Sequence, residues 1–368
     1  MKKVFGQLPS GETAYLYTIT SGSVTAAITD LGGNLVSLWV PDKNGNVADV
    51  VLGYDSPAEY LAEDVFLGAP VGRNANRIGD ACFYLGGKHY FLFANNGSNN
   101  LHSGPDHFHQ RLWDVIAHTE NRITLHLYSP HGDQGFPGNA HIQMTYSLEG
   151  STLRVSYEAI ADHDTVFNMT NHSYFNLAGH QHPEKAYDQI LSMAARFYTP
   201  TNAGLIPTGE MRSVVGTPMD FRSPKPIGRD IFADDEQLNL ANGYDHNFEV
   251  FCNPCAILYD PESGRTMAIS TDCPGIQFYA GNYLKGKGKG GVEYGARSGI
   301  ALETQYFPNA LNPPSWKQPL VKAGQKYSST TTYKFTWEPH PRMLRLPGIF
   351  APLVPRRITC LISAYAYF

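Results

Sequence analysis

Apolar and polar residues alternate with a period of two through much of the chain. In "HIQMTYSLEGSTLRVSYEA", Ile142, Met144, Tyr146 and Leu148 alternate with polar residues, Glu149-Gly150-Ser151 turn the chain, and Leu153, Val155, Tyr157 and Ala159 resume the alternation. This pattern predicts a hairpin with one wet face. "AILYDPESGRTMAIST" repeats the device around Pro261 to Gly264, and "RITLHLYS", "GIQFYAGNYL" and "STTTYKFTW" predict further strands rich in β-branched and aromatic residues. Helical patterns are few and short. The best is "SPAEYLAEDVF", with Ser56 as N-cap and Pro57 at the first helical position.

The balance predicts an all-β chain, a large antiparallel β-sandwich with few short helices. Its 35 Gly and 25 Pro fall between the strands without a break in composition before about residue 337, which favours one domain over residues 1–337 rather than two. From 338 to 368 the chain is Pro-rich and then apolar, ending "TCLISAYAYF". We expect this segment to be a tail outside the domain, because its prolines break both helices and central strands.

A length of 368 residues with 42% hydrophobic and 17% charged residues allows a large buried core. The formal net charge of −5, with no long run of Lys or Arg, provides no footprint for nucleic acid or an anionic membrane surface. The start "MKKVFGQLPSGETAYLY" lacks the apolar run of a signal peptide, and no stretch of about 20 apolar residues occurs after it. Five cysteines suit free thiols in a reducing compartment. The expectation is a cytoplasmic protein, monomeric or homodimeric.

Several motifs bear on chemistry. "GKGKGG" from Gly286 matches G-x-G-x-x-G, but "VEYGARSGIALETQYF" after it has β and turn character where a nucleotide loop needs a helix, so a mobile Lys/Gly loop is expected. Cys252, Cys255 and Cys273 near His246 make only one short-spaced pair, too few for structural zinc, and read as ordinary thiols. "LHSGPDHFHQ", with His102, His107 and His109, shows no H-E-x-x-H face, and no metal is expected there. No G-x-S-x-G elbow occurs.

Beyond these stands a set of polar residues where apolar ones would serve packing better. Glu303 lies in the apolar run Ile300-Ala301-Leu302-Glu303, and a carboxylate there is destabilising unless paired or used. His172 lies in "TNHSYFNL", Asp245 and His246 in "NGYDHNFEV", Gln277 in "PGIQFYAGN", Asn76 and Arg77 in "GRNANRIG", and His102 in "NNGSNNLHSG". Amide, carboxylate, imidazole and guanidinium groups beside aromatic rings are the set that grips sugar hydroxyls while rings cover the apolar faces.

From about residue 5 to 337, "GRNANRI", "NNGSNNLHSG", "TNHSYFNLAG", "YDHNF", "PGIQFYAGN" and "LETQYFPNALN" resemble, in order, the aldose 1-epimerase (galactose mutarotase) family. The resemblance implies a large β-sandwich with an open cleft for a free hexose such as glucose or galactose, and no cofactor. It implies Glu303 as catalytic base, His172 as catalytic acid, and Asn76, Arg77, His102, Asp245 and Gln277 as substrate-binding residues. Ser103 departs from the family's usual pair of glycines after the first histidine.

Anomer interconversion needs a base at the C1 hydroxyl and an acid at the ring oxygen, and a carboxylate with an imidazolium suits that pair. The expectation is that His172 faces Glu303 across a sugar-sized gap. Rival readings are a hexose-6-phosphate epimerase, which needs cationic side chains beyond Arg73 and Arg77 at the rim, a non-catalytic carbohydrate-binding sandwich, and a glycoside hydrolase using Glu303 and Asp245.

Overall fold

The computed structural model describes residues 1–62, 65–313 and 315–338. In it the alternating segments pair as antiparallel strands. The expected hairpin forms from Ala140–Glu149 and Thr152–Ala161, with Ile142 opposite Ala159, Met144 opposite Tyr157 and Leu148 opposite Leu153. These apolar residues are buried and the residues between them more exposed, as a period of two on a one-sided sheet requires. The hairpin belongs to a nine-stranded sheet in which Lys326–Trp337 runs between Thr152–Ala161 and Arg265–Thr271. The last described strand is therefore central, and the sheet closes only when residue 337 is reached.

A five-stranded sheet is built from Lys2–Gln7 through Val47–Asp49, and a six-stranded sheet runs in the order Tyr174–Phe175, Ile300–Gln305, Gly275–Tyr279, Asp245–Glu249, Phe197–Thr199, Arg212–Ser213. One apolar core joins all three, with Ile28, Ile142, Ile276, Phe278 and Leu302 among its members. Ile300 and Leu302 point into that core. Their alternates Ala301, Glu303 and Gln305 take the opposite face, where the register sets Glu303 beside Gln277, and Tyr279 beside Asp245. Sheet alternation thus gathers the polar residues of three strands under one set of loops.

The helix expected after Ser56 is one and a half turns long, Pro57–Ala62, with Pro57 leading it and the Ser56 hydroxyl donating to Glu59. "GKGKGG" is not the mobile loop expected. Lys289 is buried, donating to Asp49 Oδ2 at 2.6 Å and to the carbonyls of Val36 and Val51, because a buried ammonium needs its donors engaged. After Gly288 the chain makes a single 3-10 turn, Lys289–Gly291, so the segment offers no helix N-terminus to a pyrophosphate. The tail expected over 338–368 lies outside the described residues except for Glu338.

The N-terminal sheet is tied to the His-rich loop at Gly32. Its N–H donates to Arg111 O at 2.6 Å, its φ is 72°, and a Cβ there would sit 2.0 Å from His109 O. Both the left-handed backbone and the overlap oppose a side chain. Gly32→Ala is expected to lower unfolding stability by roughly 2–4 kcal/mol, read as a shift of the urea midpoint at unchanged slope.

Candidate functional site

Arg73 anchors the segment that carries Asn76 and Arg77. Its guanidinium, fully buried, donates to Ser129 Oγ and to the carbonyls of Ser129, Pro130, Pro137 and Gly138. From there the chain is pinned to the strand entering "NMTNHSYFNLAGH": Asn168 N–H donates to Arg73 O and Ala75 N–H to Asn168 O, each at 2.8 Å. Ser103 holds the third loop. Its hydroxyl accepts from Asn74 N–H and donates to Asn74 O, both at 2.9 Å, at a φ of 59°. A serine therefore occupies a left-handed position that glycine would fill freely, and its side-chain bonds offset the strain.

These loops and the sheet face enclose a cleft of about 330 Å³. Of the seven residues expected at the site, Asn76, Arg77, His102, His172, Asp245 and Glu303 line it. Gln277 does not appear on the wall. It stands behind Asp245, its amide donating to Asp245 Oδ1 at 2.7 Å. Arg77 lies 3.7 Å from Asp245 Oδ2 and donates through Nε to Asn96 Oδ1 at 3.1 Å.

His172 ends the strand Thr170–His172, paired with Ala69, and its Nε2 is 3.5 Å from Glu303 Oε1. The two groups are side by side, not opposed across a sugar ring as the sequence suggested. Both are almost fully buried. Burial pushes the Glu303 carboxyl well above its ordinary range, helped by nearby Asp245 and opposed by Arg77. Burial also takes the His172 imidazole down to about 4. Both shifts run against charge on the two groups in the unliganded cleft. His172 Nδ1 and Glu303 Oε2 have no protein hydrogen-bond partner.

His102 is fixed differently. Asn76 N–H donates to its Nδ1 at 3.1 Å, so the ring proton sits on Nε2, and burial beside His172 holds its pKa well below the usual value. His102 is thus a neutral ring whose Nε2–H is a donor. The ligand-type atoms of His102, His172 and Glu303 lie within 4.8 Å of one another, a grouping that could suit a metal ion. The Asn76 bond argues against one, since it leaves His102 Nε2 protonated.

Four imidazoles surround the Phe66 ring, those of His102, His107, His109 and His172, with centroids 4.6 to 5.7 Å away. Phe66, Asn76, His102 and Leu205 all line the cleft with φ between 52° and 62°. Strained backbone gathered at one cavity is what a binding site held by its surroundings shows. Sequence reasoning missed Phe66 and Leu205, which carry no local signal. It also missed Asn96, Tyr174, Tyr279 and Tyr283. Asn96, Tyr174 and Tyr279 lie inside the quoted segments "NNGSNNLHSG", "TNHSYFNLAG" and "PGIQFYAGN", so adjacency was the available signal. Tyr174 is a cleft wall, whereas its neighbour Phe175 joins the core. Asn171 turns away from the cleft, donating to Tyr146 Oη and accepting from Ser173.

Among the described residues the cysteines form no cluster of ligand atoms placed for a metal ion. Cys255 donates to Ile269 O, burial pushes the thiols of Cys255 and Cys273 up to about 12, and His246 Nδ1 accepts from Asp245 N–H. Among the described residues no disulfide joins Cys82, Cys252, Cys255 or Cys273. No described helix is long and apolar enough to cross a membrane.

Comparison with known proteins gives concordant matches. The family model described as aldose 1-epimerase matches residues 15–334. A galactose mutarotase of Sus scrofa is 41% identical over 342 residues, covering 91% of this chain and 98% of its own. An aldose 1-epimerase of Escherichia coli K12 is 35% identical over 340 residues, covering 90% and 97%. Among solved structures, an aldose epimerase homologue from C. elegans superposes with a TM-score of 0.83 at 30% identity, covering 88% and 99%. A galactose 1-epimerase from Lactobacillus acidophilus NCFM does so with a TM-score of 0.81 at 29% identity, covering 92% and 98%.

Proposed function

The chain belongs to the aldose 1-epimerase family and is an isomerase that interconverts sugar anomers, and from that premise we propose the roles of its cleft residues. Glu303 is the base at the C1 hydroxyl and His172 the acid at the ring oxygen. The observation that carries this is their 3.5 Å separation at the floor of the cleft. Both reacting oxygens are bonded to the same carbon, so a base and an acid standing side by side suit them better than a pair on opposite walls.

The chemistry turns on one shared proton. Hemiacetal opening takes the C1 hydroxyl proton onto Glu303 as His172 delivers one to the ring oxygen. The aldehyde rotates about C1–C2 and recloses on its other face, with the two groups exchanging roles. The carboxylate–imidazolium form that starts this cycle has the same net charge as the carboxyl–imidazole form favoured by burial, and Arg77 draws the pair toward the carboxylate. His102, a fixed neutral donor, holds the ring-oxygen side or an adjacent hydroxyl together with Arg77. Asn76 binds a neighbouring hydroxyl. Asp245 accepts from hydroxyls further round the ring, kept in place by Gln277.

The substrate is a free hexose. Of the two arginines that a sugar phosphate could have used, Arg73 is spent on carbonyls inside the fold, and Arg77 is already near Asp245. That favours a neutral sugar over a 6-phosphate. Every group invoked lies in one chain, which supports action as a monomer or as a homodimer with independent sites. The cysteine content supports a cytoplasmic location, and residues 1–337 are best taken as one domain.

Following optical rotation of freshly dissolved α-glucose and α-galactose tests the reading. The protein should speed both relaxations over buffer and act poorly on glucose 6-phosphate. No acceleration on either free sugar would refute it. A pH profile tests the proton count. The acid limb of kcat/KM should fall near pH 4, where the pair takes up a second proton at His172. The alkaline limb should appear only where the raised Glu303 group loses the last one. An acid limb centred near the ordinary histidine value of about 6.5 would remove the shared-proton account.

A further inference from the structure

A second cavity, of about 550 Å³, shares no lining residue with the catalytic cleft. It opens between the N-terminal sheet, the turn after Phe175 and the loop around Lys289. The stretch "NMTNHSYFNLAGH" feeds both: His172 lines the cleft and His180, at the other end, lines the second cavity. None of the chemistry above uses this space.

Its floor is polar and already balanced. Lys289 Nζ directs its donors to Val36 O, Val51 O, Asp49 Oδ2 and, at 3.2 Å, Ser37 Oγ, whose own proton is left to donate. Asp55 Oδ2 accepts from Gly290 N–H at 2.6 Å. His180, buried, meets the Tyr294 hydroxyl through Nδ1 at 3.0 Å. Burial and the nearby Lys289 hold its pKa down, which disfavours a charged ring there. Lys3 and Lys289 are matched by Asp49 and Asp55. An ionic ligand would therefore enter without a counter-charge and lose its hydration for nothing. Next to these groups stands the half-buried indole of Trp39, paired in register with Asp49, and Tyr54 also lines the wall. The volume falls within the roughly 300–1,000 Å³ of small-molecule sites.

We propose that this cavity is a second, non-catalytic binding site for a neutral saccharide, its rings against Trp39 and its hydroxyls on the polar edges of Asp55, His180 and Ser37. A balanced set of donors and acceptors beside an indole is chemistry that fits a polyhydroxylated uncharged ligand, and the larger volume admits more than one ring. The site stands apart from the reaction, so its occupancy does not require turnover.

Sucrose and methyl β-galactoside lack a free anomeric hydroxyl and serve as probes that cannot be turned over. The chain has four tryptophans, which can be replaced by 5-fluorotryptophan and followed by fluorine NMR, with Trp39→Phe assigning the resonance of interest. The expected result is a saturable shift of the Trp39 signal on titration with either sugar, little movement of Trp113, and the same shift in Glu303→Gln. Val47 is 57% exposed at the rim, and Val47→Phe should abolish the shift while mutarotation stays at the wild-type rate. A Trp39 signal that ignores both sugars overturns the proposal. So does one that shifts equally in Val47→Phe, or one that responds to sulfate and not to sugar. Because the readout needs no catalysis, it stays interpretable whether or not the catalytic assignments hold.

Discussion

Glu303→Gln is expected to lower kcat for mutarotation by about 10²–10⁴-fold while the fold is kept. The amide preserves the shape of the side chain but can accept no proton from the C1 hydroxyl. It also removes a carboxyl whose ionised form burial disfavours, so the urea midpoint should not fall. His172→Asn should lose turnover over the same range. The two groups handle one proton as a unit, so the double variant should be little worse than the poorer single one. Polarimetry on α-galactose gives the rates and circular dichroism the stability. Turnover near the wild-type level in Glu303→Gln would withdraw the base assignment, and full additivity in the double variant would show that the two groups act independently.

Arg73→Met carries the largest expected effect on stability, a loss of roughly 3–5 kcal/mol. Methionine fills much of the volume but offers no donor. The carbonyls of Pro137 and Gly138, each accepting at 2.8 Å, would then be buried without partners. Asp133, which already accepts from Arg111 and Ser129, would lose a neighbouring positive charge. Arg73→Lys, which keeps the charge without the planar fork, should fall between the two. Because Arg73 anchors the segment bearing Asn76 and Arg77, the rise in KM should exceed the fall in kcat for whatever folded fraction remains. A midpoint within about 1 kcal/mol of wild type would mean that water or backbone adjustment satisfies those carbonyls.

The strands were legible because their faces differ: Ile142, Met144, Tyr146 and Leu148 meet the core and their neighbours meet water, so a period of two survives in the sequence. Glu303 and His172 were legible for the opposite reason, as polar groups in apolar surroundings. Their relation was not. Tyr174 and Phe175, just after His172, pair with Ala301 and Ile300 on the strand of Glu303, and this long-range pairing accompanies the 3.5 Å approach of His172 to a carboxylate 131 positions along the chain. Phe66 and Leu205 escaped notice because what marks them is a positive φ in an ordinary apolar residue, a property of the backbone path with no residue signature. Lys289 was misread because glycines on both sides suggest a loose loop, when its ammonium is held from strands more than 200 residues earlier. Gln277 is legible as a polar residue in an apolar strand, but its amide bond to Asp245, on the neighbouring strand, depends on the sheet order and leaves no mark in the sequence.

The alternation of Leu302 with Glu303 has a consequence for how the protein tolerates change. Neighbours along this strand serve opposite masters, the apolar core and the sugar cleft. A deletion or insertion of a single residue anywhere that lets Ile300–Gln305 slip by one position would turn the carboxylate into the core and a leucine into the cleft. Activity is therefore a sensitive reporter of strand alignment. A library of single-residue indels near this strand, sorted by mutarotation, would separate chains that merely collapse from those in which every rung of the sheet has found its partner.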